Sequence, residues 1–205
     1  MSAAMNLTVV ILAAGKGTRM KSALPKVLHT VAGKPMLQHV FDVAEQLQAN
    51  KIICVIGHGA DQIEKHFANR AVQWVEQAEQ LGTGHAVQQV LPHIGADEKV
   101  LVLYGDVPLI SLSTLKQLLA IPHPYNILTL EMANPHGYGR IIRNEIKEIV
   151  AIVEEKDAEP EQKKIKEVNT GVIAINGDLL HKWLPKLENN NSQKEYYLTD
   201  LVKFA

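Results

Sequence analysis

The chain has 205 residues, 46% of them hydrophobic and 21% charged, enough to enclose the core of one globular domain. Its formal net charge of −1 gives no overall positive field for nucleic acid or an anionic membrane, so any phosphate recognition must be local. The single cysteine, Cys54 in the apolar run Ile52 to Ile56, excludes an internal disulfide framework, reads as a buried thiol and favours a reducing cytoplasm.

The first element is the uninterrupted apolar run Val9 to Ala14, which reads as a strand buried on both faces. Leu7 to Ala14 has the length of a signal-peptide apolar region. No Lys or Arg precedes it, however, and it runs into a cationic loop, so no export signal is read. No apolar run approaches the roughly 20 residues of a membrane span. The strand breaks into Gly15-Lys16-Gly17-Thr18-Arg19, and Pro25-Lys26 follows after a polar interval. A buried strand feeding such a loop presents main-chain N–H groups to phosphates. Arg19 and Lys26 are close enough in sequence to face one anion from two sides. The dinucleotide-binding fingerprint needs a third glycine where Met20 stands, and the P-loop is excluded because Lys16 follows Gly15 directly. On glycine count alone, a plain turn with solvent-facing cations stays open.

Met36 to Leu47 places Leu37, Val40, Phe41, Ala44 and Leu47 at helical spacing. Lys51 to Ile56 is the second buried strand, Asp61 to Phe67 a short helix and Val72 to Val75 a short third strand. This alternation predicts a doubly wound, Rossmann-like α/β fold with a mostly parallel sheet. Ligands of such a sheet bind beyond the carboxyl ends of the strands.

Past the third strand come Gln77 and the run Gln80-Leu81-Gly82-Thr83-Gly84-His85-Ala86, with Ala86 to Leu91 reading as helical. Gly82 and Gly84 let a backbone approach a flat ligand, and a primary amide such as Gln77 can both donate to and accept from a pyrimidine edge. An ordinary helix entry is the alternative. Val100 to Tyr104 is the fourth buried strand, ending in Gly105-Asp106-Val107-Pro108. Asp106 just past that strand suits Mg²⁺, or else is a turn residue before proline.

Asn126 to Met132 is a further strand, and Gly137-Tyr138-Gly139 precedes another at Arg140-Ile141. Glu148 to Glu155 is strand-like and runs into Glu154-Glu155-Lys156-Asp157, and Ala158 to Lys166 reads as a solvated helix or loop. Val168-Asn169-Thr170-Gly171 leads into a strand at Val172 to Ile175. Glu154 and Asn169 offer an acceptor and an amide for sugar hydroxyl and N-acetyl groups. Asn189 to Ser192 is a turn, and Tyr196 to Ala205 starts a helix that stops without a terminator, so the sequence reads as cut within an element. The nine histidines form no zinc-type spacing, and no serine elbow or Cys–His pair occurs.

The opening stretch, LAAGKGTRM with Pro25-Lys26, closely resembles the signature of sugar-1-phosphate nucleotidylyltransferases. The succession QAEQLGTGHA, LYGDVPL, GYGRI, EEKD, EVNTG and EYYLTD narrows the match over nearly the whole chain. It is similar to the pyrophosphorylase domain of the bacterial N-acetylglucosamine-1-phosphate uridylyltransferases. The resemblance implies that UTP and N-acetylglucosamine-1-phosphate give UDP-N-acetylglucosamine and pyrophosphate, for peptidoglycan and lipopolysaccharide synthesis, with Mg²⁺ as cofactor. It implies that Leu12, Ala13, Ala14, Gly15, Gln77, Gly82 and Thr83 hold the uridine end, and that Tyr104 and Gly105 line the nucleotide site beside Asp106 as metal ligand. Gly139, Glu154 and Asn169 would hold the sugar, and Arg19 and Lys26 would face the phosphates as catalytic groups. It further implies a cytoplasmic protein longer than this chain. Beyond Ala205 would lie an asparagine metal ligand and a left-handed β-helix domain that acetylates glucosamine-1-phosphate and forms a homotrimer. Residues 1–205 would then be a shortened pyrophosphorylase domain. A nucleotide-sugar binding module without turnover, a redox enzyme on a similar sheet, and a transferase for another base or sugar are the alternatives.

Overall fold

The apolar run near the N-terminus forms the middle of the sheet. In the computed structural model, which describes residues 5–17 and 20–205, strand β1 covers Leu7–Leu12 and all six of its residues are buried. A short hairpin, β2 (Thr30–Val31) and β3 (Lys34–Pro35), leads into α1 (Met36–Gln46). Then follow β4 (Lys51–Ile56), α2 (Ala60–His66), β5 (Gln73–Glu76), α3 (Thr83–Gln88), β6 (Lys99–Tyr104) and α4 (Leu112–Ala120). The second half carries β7 (Tyr125–Glu131), β8 (Arg140–Arg143), β9 (Ile149–Val153), β10 (Glu167–Asn176) and α5 (Gly177–Trp183).

Eight strands form the main sheet in the order β5-β4-β1-β6-β10-β8-β9, with β7 also paired to β10. Strands β5, β4, β1 and β6 run parallel, and β10 enters antiparallel to β6. The result is a mixed α/β sheet whose parallel half is the doubly wound arrangement expected from the alternation of strands and helices. The period of two along β1 divides the core cleanly. Leu7, Val9, Ile11 and Ala13 face α1, α2 and α4, through Leu37, Phe41, Ile63 and Leu115. Val10, Leu12 and Ala14 face α3, α5 and the C-terminal segment, through Val87, Leu180, Trp183 and Leu201. Cys54 is buried in β4, and burial raises its thiol pKa well above the ordinary value. Among the described residues no helix is long and apolar enough to cross a membrane.

Four boundaries differ from the sequence expectation for identifiable reasons. β1 ends at Leu12 rather than Ala14: Ala13 still donates to Val55 O at 2.8 Å, but the chain is already turning into the loop. Helix α3 starts at Thr83, not Ala86, because Gly82, at φ +109°, turns the chain directly into the helix. β10 has ten residues, so Asn169, Thr170 and Gly171 lie inside the strand rather than before it. A register shift between Asn169 and Ile173 conceals the alternation there. At the C-terminus the helix expected from Tyr196 is a 3₁₀ helix over Leu198–Phe204. Tyr196 is held extended because its N–H donates to Leu81 O at 2.8 Å and its carbonyl accepts from Gly84 N at 2.7 Å. Helices α4 and α5 have no counterpart among the sequence expectations. α4 does carry a usable signal, a Ser111 N-cap accepting from Thr114 N at 3.1 Å ahead of Leu112, Leu115 and Leu118.

Candidate active site

The carboxyl ends of β1, β4, β5 and β6 lie side by side and define one edge of the parallel half. Leu12, Ala13 and Ala14 come up buried at that edge, and Gly15 is exposed beyond them. Gly105 N donates to Leu12 O at 2.9 Å, which sets the turn after β6 directly beside the loop after β1. The same turn carries Asp106. Lys26, at the start of a 3₁₀ turn, forms an ion pair and hydrogen bond with the Asp106 carboxylate across 80 residues of sequence. Both side chains are partly exposed, at 37% and 27%, so the pair faces the crevice rather than the core. Sequence spacing gives no sign that these two groups meet; in the ligand-free protein they neutralise one another. Arg19, read as the second phosphate-facing cation, lies outside the described residues.

On one side of this pair is the loop after β5. Gln77 is 3% exposed, and its amide nitrogen donates to Gly82 O at 3.0 Å and lies 3.0 Å from His85 Nδ1. A Cβ on Gly82 would sit 2.6 Å from Tyr196 O, so the loop is threaded against the C-terminal segment with no room for a side chain. Thr83 Oγ1 accepts from Leu198 N at 3.1 Å and fastens the same two segments. Gln80, to which the sequence assigns no role, sets its amide nitrogen beside Gly57 and leaves its buried Oε1 without a partner among the described residues. An amide oxygen held this way is an unused acceptor at the crevice edge.

On the other side are Gly139, Glu154 and Asn169, contributed by three different strands or their ends. Asn169 N donates to Gly139 O at 2.9 Å, and a Cβ on Gly139 would lie 3.3 Å from Glu154 Oε1, so the three are in contact. Arg140, 1% exposed, secures this corner. Its guanidinium pairs with Glu155 at 2.7 Å, donates to Tyr138 O and reaches Lys163 O at 3.3 Å. The GYGRI motif contains that arginine, but nothing local in the sequence marks it as buried.

Tyr104 joins the two sides. Its hydroxyl lies near Thr83, and its ring lies against Gly171 in β10. Burial first, then the charge of Glu154, raises the phenol pKa well above its ordinary value, so Tyr104 stays neutral. Glu154 is raised as well. Burial is the main cause, the Thr199 hydroxyl at 3.2 Å pulls the other way, and Asp157, Asp200 and Glu195 push it further up. A carboxyl raised in the folded state binds protons that the unfolded chain releases, so its contribution to stability falls as pH rises through that interval. Glu154→Gln is therefore expected to melt higher than the unsubstituted protein near neutral pH. The gain should shrink to nothing below the ordinary carboxylate range, where both states are protonated. Melting curves at stepped pH check this, and a gain that does not depend on pH would refute it.

Asp106 supplies one hard oxygen ligand at a position already occupied by a cationic ammonium, which suits a divalent cation such as Mg²⁺. Among the described residues no three His, Cys, Asp or Glu side chains gather into a group that could hold a metal ion. An ion on Asp106 would draw its remaining oxygens from phosphate and water.

Comparison with known proteins bears on this arrangement. The family described as MobA-like NTP transferase domain matches residues 9–165. A protein of Marinobacter nauticus named "Bifunctional protein GlmU" is 59% identical over 201 residues, which is 97% of this chain and 44% of that protein. A Pseudomonas aeruginosa protein of the same name is 57% identical over 203 residues, 98% of this chain and 44% of its own length. The chain thus spans less than half the length of these relatives. Among solved structures, a UDP-glucose pyrophosphorylase complexed with UDP-glucose superposes with a TM-score of 0.79 at 21% identity, over 98% of this chain and 86% of that one. HddC from Yersinia pseudotuberculosis, complexed with GMP-PN, gives a TM-score of 0.66 at 22% identity, over 94% and 83% of the two chains. At such identities the structural likeness speaks for the fold.

Proposed function

The chain belongs to the MobA-like NTP transferase family, and from that premise we propose that it transfers the uridylyl group of UTP to N-acetylglucosamine-1-phosphate. The products are UDP-N-acetylglucosamine and pyrophosphate. The observation that carries this reading is the Lys26–Asp106 pair, set between an amide-bearing loop on one side and the Gly139, Glu154 and Asn169 corner on the other. A phosphate-handling centre between two different polar pockets suits a substrate pair with a base at one end and a sugar at the other. The relatives at 55% to 59% identity, all named as bifunctional GlmU, support the uridylyl and N-acetylglucosamine choice.

In this reading Leu12 to Gly15, Gln77, Gly82 and Thr83 hold the uridine end, with Tyr104 and Gly105 lining the site between base and phosphates. Gly139, Glu154 and Asn169 hold the sugar. A phosphate oxygen of the sugar-phosphate forms a bond to the α-phosphorus of UTP while the bond from that phosphorus to the β-phosphate bridging oxygen breaks. Pyrophosphate leaves in line and takes the electron pair. No covalent enzyme intermediate is needed, so the residues act by positioning and by neutralising charge, Lys26 and Arg19 foremost. Asp106 would hold Mg²⁺, which when bound would offset charge on the triphosphate and the leaving pyrophosphate. From the resemblance of its motifs we further propose that the chain is part of a longer cytoplasmic protein with a second, acetyltransferase activity and a homotrimeric assembly.

A panel crossing the four common nucleoside triphosphates with glucose-, galactose-, glucosamine- and N-acetylglucosamine-1-phosphate tests the proposal. UTP with N-acetylglucosamine-1-phosphate should release pyrophosphate fastest. A faster rate for another pair would assign a different base or sugar, and UDP-N-acetylglucosamine binding without any pyrophosphate release would make the chain a binding module.

A further inference from the structure

The orientation of the Gln77 amide follows from its neighbours. Its nitrogen lies 3.0 Å from the Gly82 carbonyl oxygen, which can only accept, so the NH₂ group must point there. The same nitrogen lies 3.0 Å from His85 Nδ1, and its second hydrogen has no other described partner. Gln89 Nε2 approaches the opposite ring nitrogen at 3.1 Å. A neutral imidazole has only one acceptor nitrogen, so both amides cannot donate to it. Gln77 is the buried partner, and the Gly82 carbonyl opposes any turn of its amide. The Gln89 amide is only half-buried, and its nitrogen also lies 3.1 Å from the His85 carbonyl. That carbonyl keeps the Gln89 backbone N–H at 3.3 Å if the side chain turns, so it is not left unpaired. Gln89 is therefore the amide that yields. On this assignment Nδ1 is the bare acceptor and Nε2 carries the proton, which it would donate to the Gln89 amide oxygen once that amide turns over.

We infer that His85 is a specificity-determining positioning residue, whose bare Nδ1 locks the Gln77 amide so that only its oxygen is available to a bound base. The inference deepens the uridylyl reading above and rests on it. Both hydrogens of the Gln77 amide are consumed by Gly82 O and His85 Nδ1, and among the described residues its Oε1 takes no hydrogen bond. An amide oxygen accepts from uracil N3–H. Cytosine presents a lone pair at N3, so the same oxygen would repel it. An amide held by the Gly82 carbonyl alone loses one hydrogen bond on turning over to serve cytosine; held by both Gly82 O and His85 Nδ1 it loses two, so His85 completes the lock. His85 itself sits in the first turn of α3, with Tyr196 tilted across it at 6.4 Å between ring centres. It is thus held by the same C-terminal segment that fastens Thr83.

Two variants separate this role from packing. His85→Phe keeps a ring against Tyr196 but removes the acceptor, while His85→Asn can place an amide oxygen where Nδ1 stood. Calorimetric binding of UTP and of CTP to the unsubstituted protein comes first: a clear UTP preference tests the uridylyl reading by itself, and equal affinities would overturn both that reading and the inference. Given the preference, His85→Phe should lose about tenfold of the UTP-over-CTP ratio, the scale of one hydrogen bond, while His85→Asn should retain most of it. If both variants lose the ratio equally, or neither loses it, the positioning role is overturned. Nitrogen-15 spectra of the labelled imidazole supply a readout that does not depend on nucleotide. They should show Nδ1 unprotonated and Nε2 protonated in the free protein, and the opposite tautomer would overturn the inference.

Discussion

Lys26→Ala is expected to release pyrophosphate roughly 10²–10³-fold more slowly than the unsubstituted enzyme at saturating substrates, the range seen when one preorganised charge-stabilising group is removed. The ammonium sits on the Asp106 carboxylate in the free protein, at the crevice edge between the two polar pockets. A triphosphate entering there brings several negative charges, and a preplaced cation neutralises them without reorganisation during the reaction. Asp106→Asn should reduce turnover on the same scale, because it removes the carboxylate that would hold Mg²⁺ and leaves Lys26 without its partner. Neither change should cost much stability. The pair is partly exposed on both sides, and such pairs contribute about 0–1 kcal/mol. Pyrophosphate release and thermal melting, measured together, check both halves. Turnover near the unsubstituted rate in Lys26→Ala would remove Lys26 from the chemistry, and a collapse in melting temperature would make its role structural. Arg19→Ala belongs in the same series, with the same expected loss.

The second large effect is expected at Gly171. The residue lies inside β10 at φ +84°, and a Cβ there would fall 2.4 Å from Cε2 of the Tyr104 ring. Gly171→Ala therefore incurs two costs. Left-handed backbone disfavours a side chain by roughly 1–2 kcal/mol, and overpacking against a buried ring adds about 1–3 kcal/mol. Moving the ring to relieve the clash would draw its hydroxyl away from Thr83 and disturb the contact between the two halves of the crevice. If the proposed function holds, weaker binding of UDP-N-acetylglucosamine should accompany the loss of stability, since the substitution acts on Tyr104, which joins the two sides of the crevice. Denaturant titration and calorimetry measure the two effects. Tyr104→Leu combined with Gly171→Ala offers a sharper test, because a smaller side chain relieves the clash and the stability costs should then be far from additive. Additive costs would show that the ring contact is not what limits this position.

The parts of the fold that are legible in the sequence are those that local pattern encodes. The apolar runs of β1, β4 and β6 announce buried parallel strands because a strand covered on both faces needs apolar residues at every position. α1 is legible through Leu37, Val40, Phe41 and Ala44, all of which are buried in the structure. The helices α4 and α5 escape for different reasons. α4 has a readable cap and spacing, whereas α5, seven residues from Gly177 to Trp183, is too short for periodicity to separate it from a turn. The C-terminal segment misleads because its apolar spacing is helical, while two backbone hydrogen bonds from Tyr196 to the loop at Leu81 and Gly84 decide its conformation.

The candidate site divides along the same line. Sequence alone determines which loops line the crevice: glycines and polar groups directly after buried strands must emerge at the strands' carboxyl ends. That reasoning places Gly15, Gln77 and Asp106 at one edge of the sheet. Only tertiary structure decides how these groups meet. The pairing of Lys26 with Asp106, the closure of Tyr104 on Gly171, and the pairing of buried Arg140 with Glu155 all join residues from different strands or loops. The close approach of the Gln77 amide to His85 is likewise invisible to local pattern. The physical reason is range. Periodicity and turn chemistry act over one or two turns of chain, whereas these contacts depend on which strands become neighbours. β6 beside β1 sets Asp106 next to Lys26, and β10, entering antiparallel to β6, brings Gly171 against Tyr104.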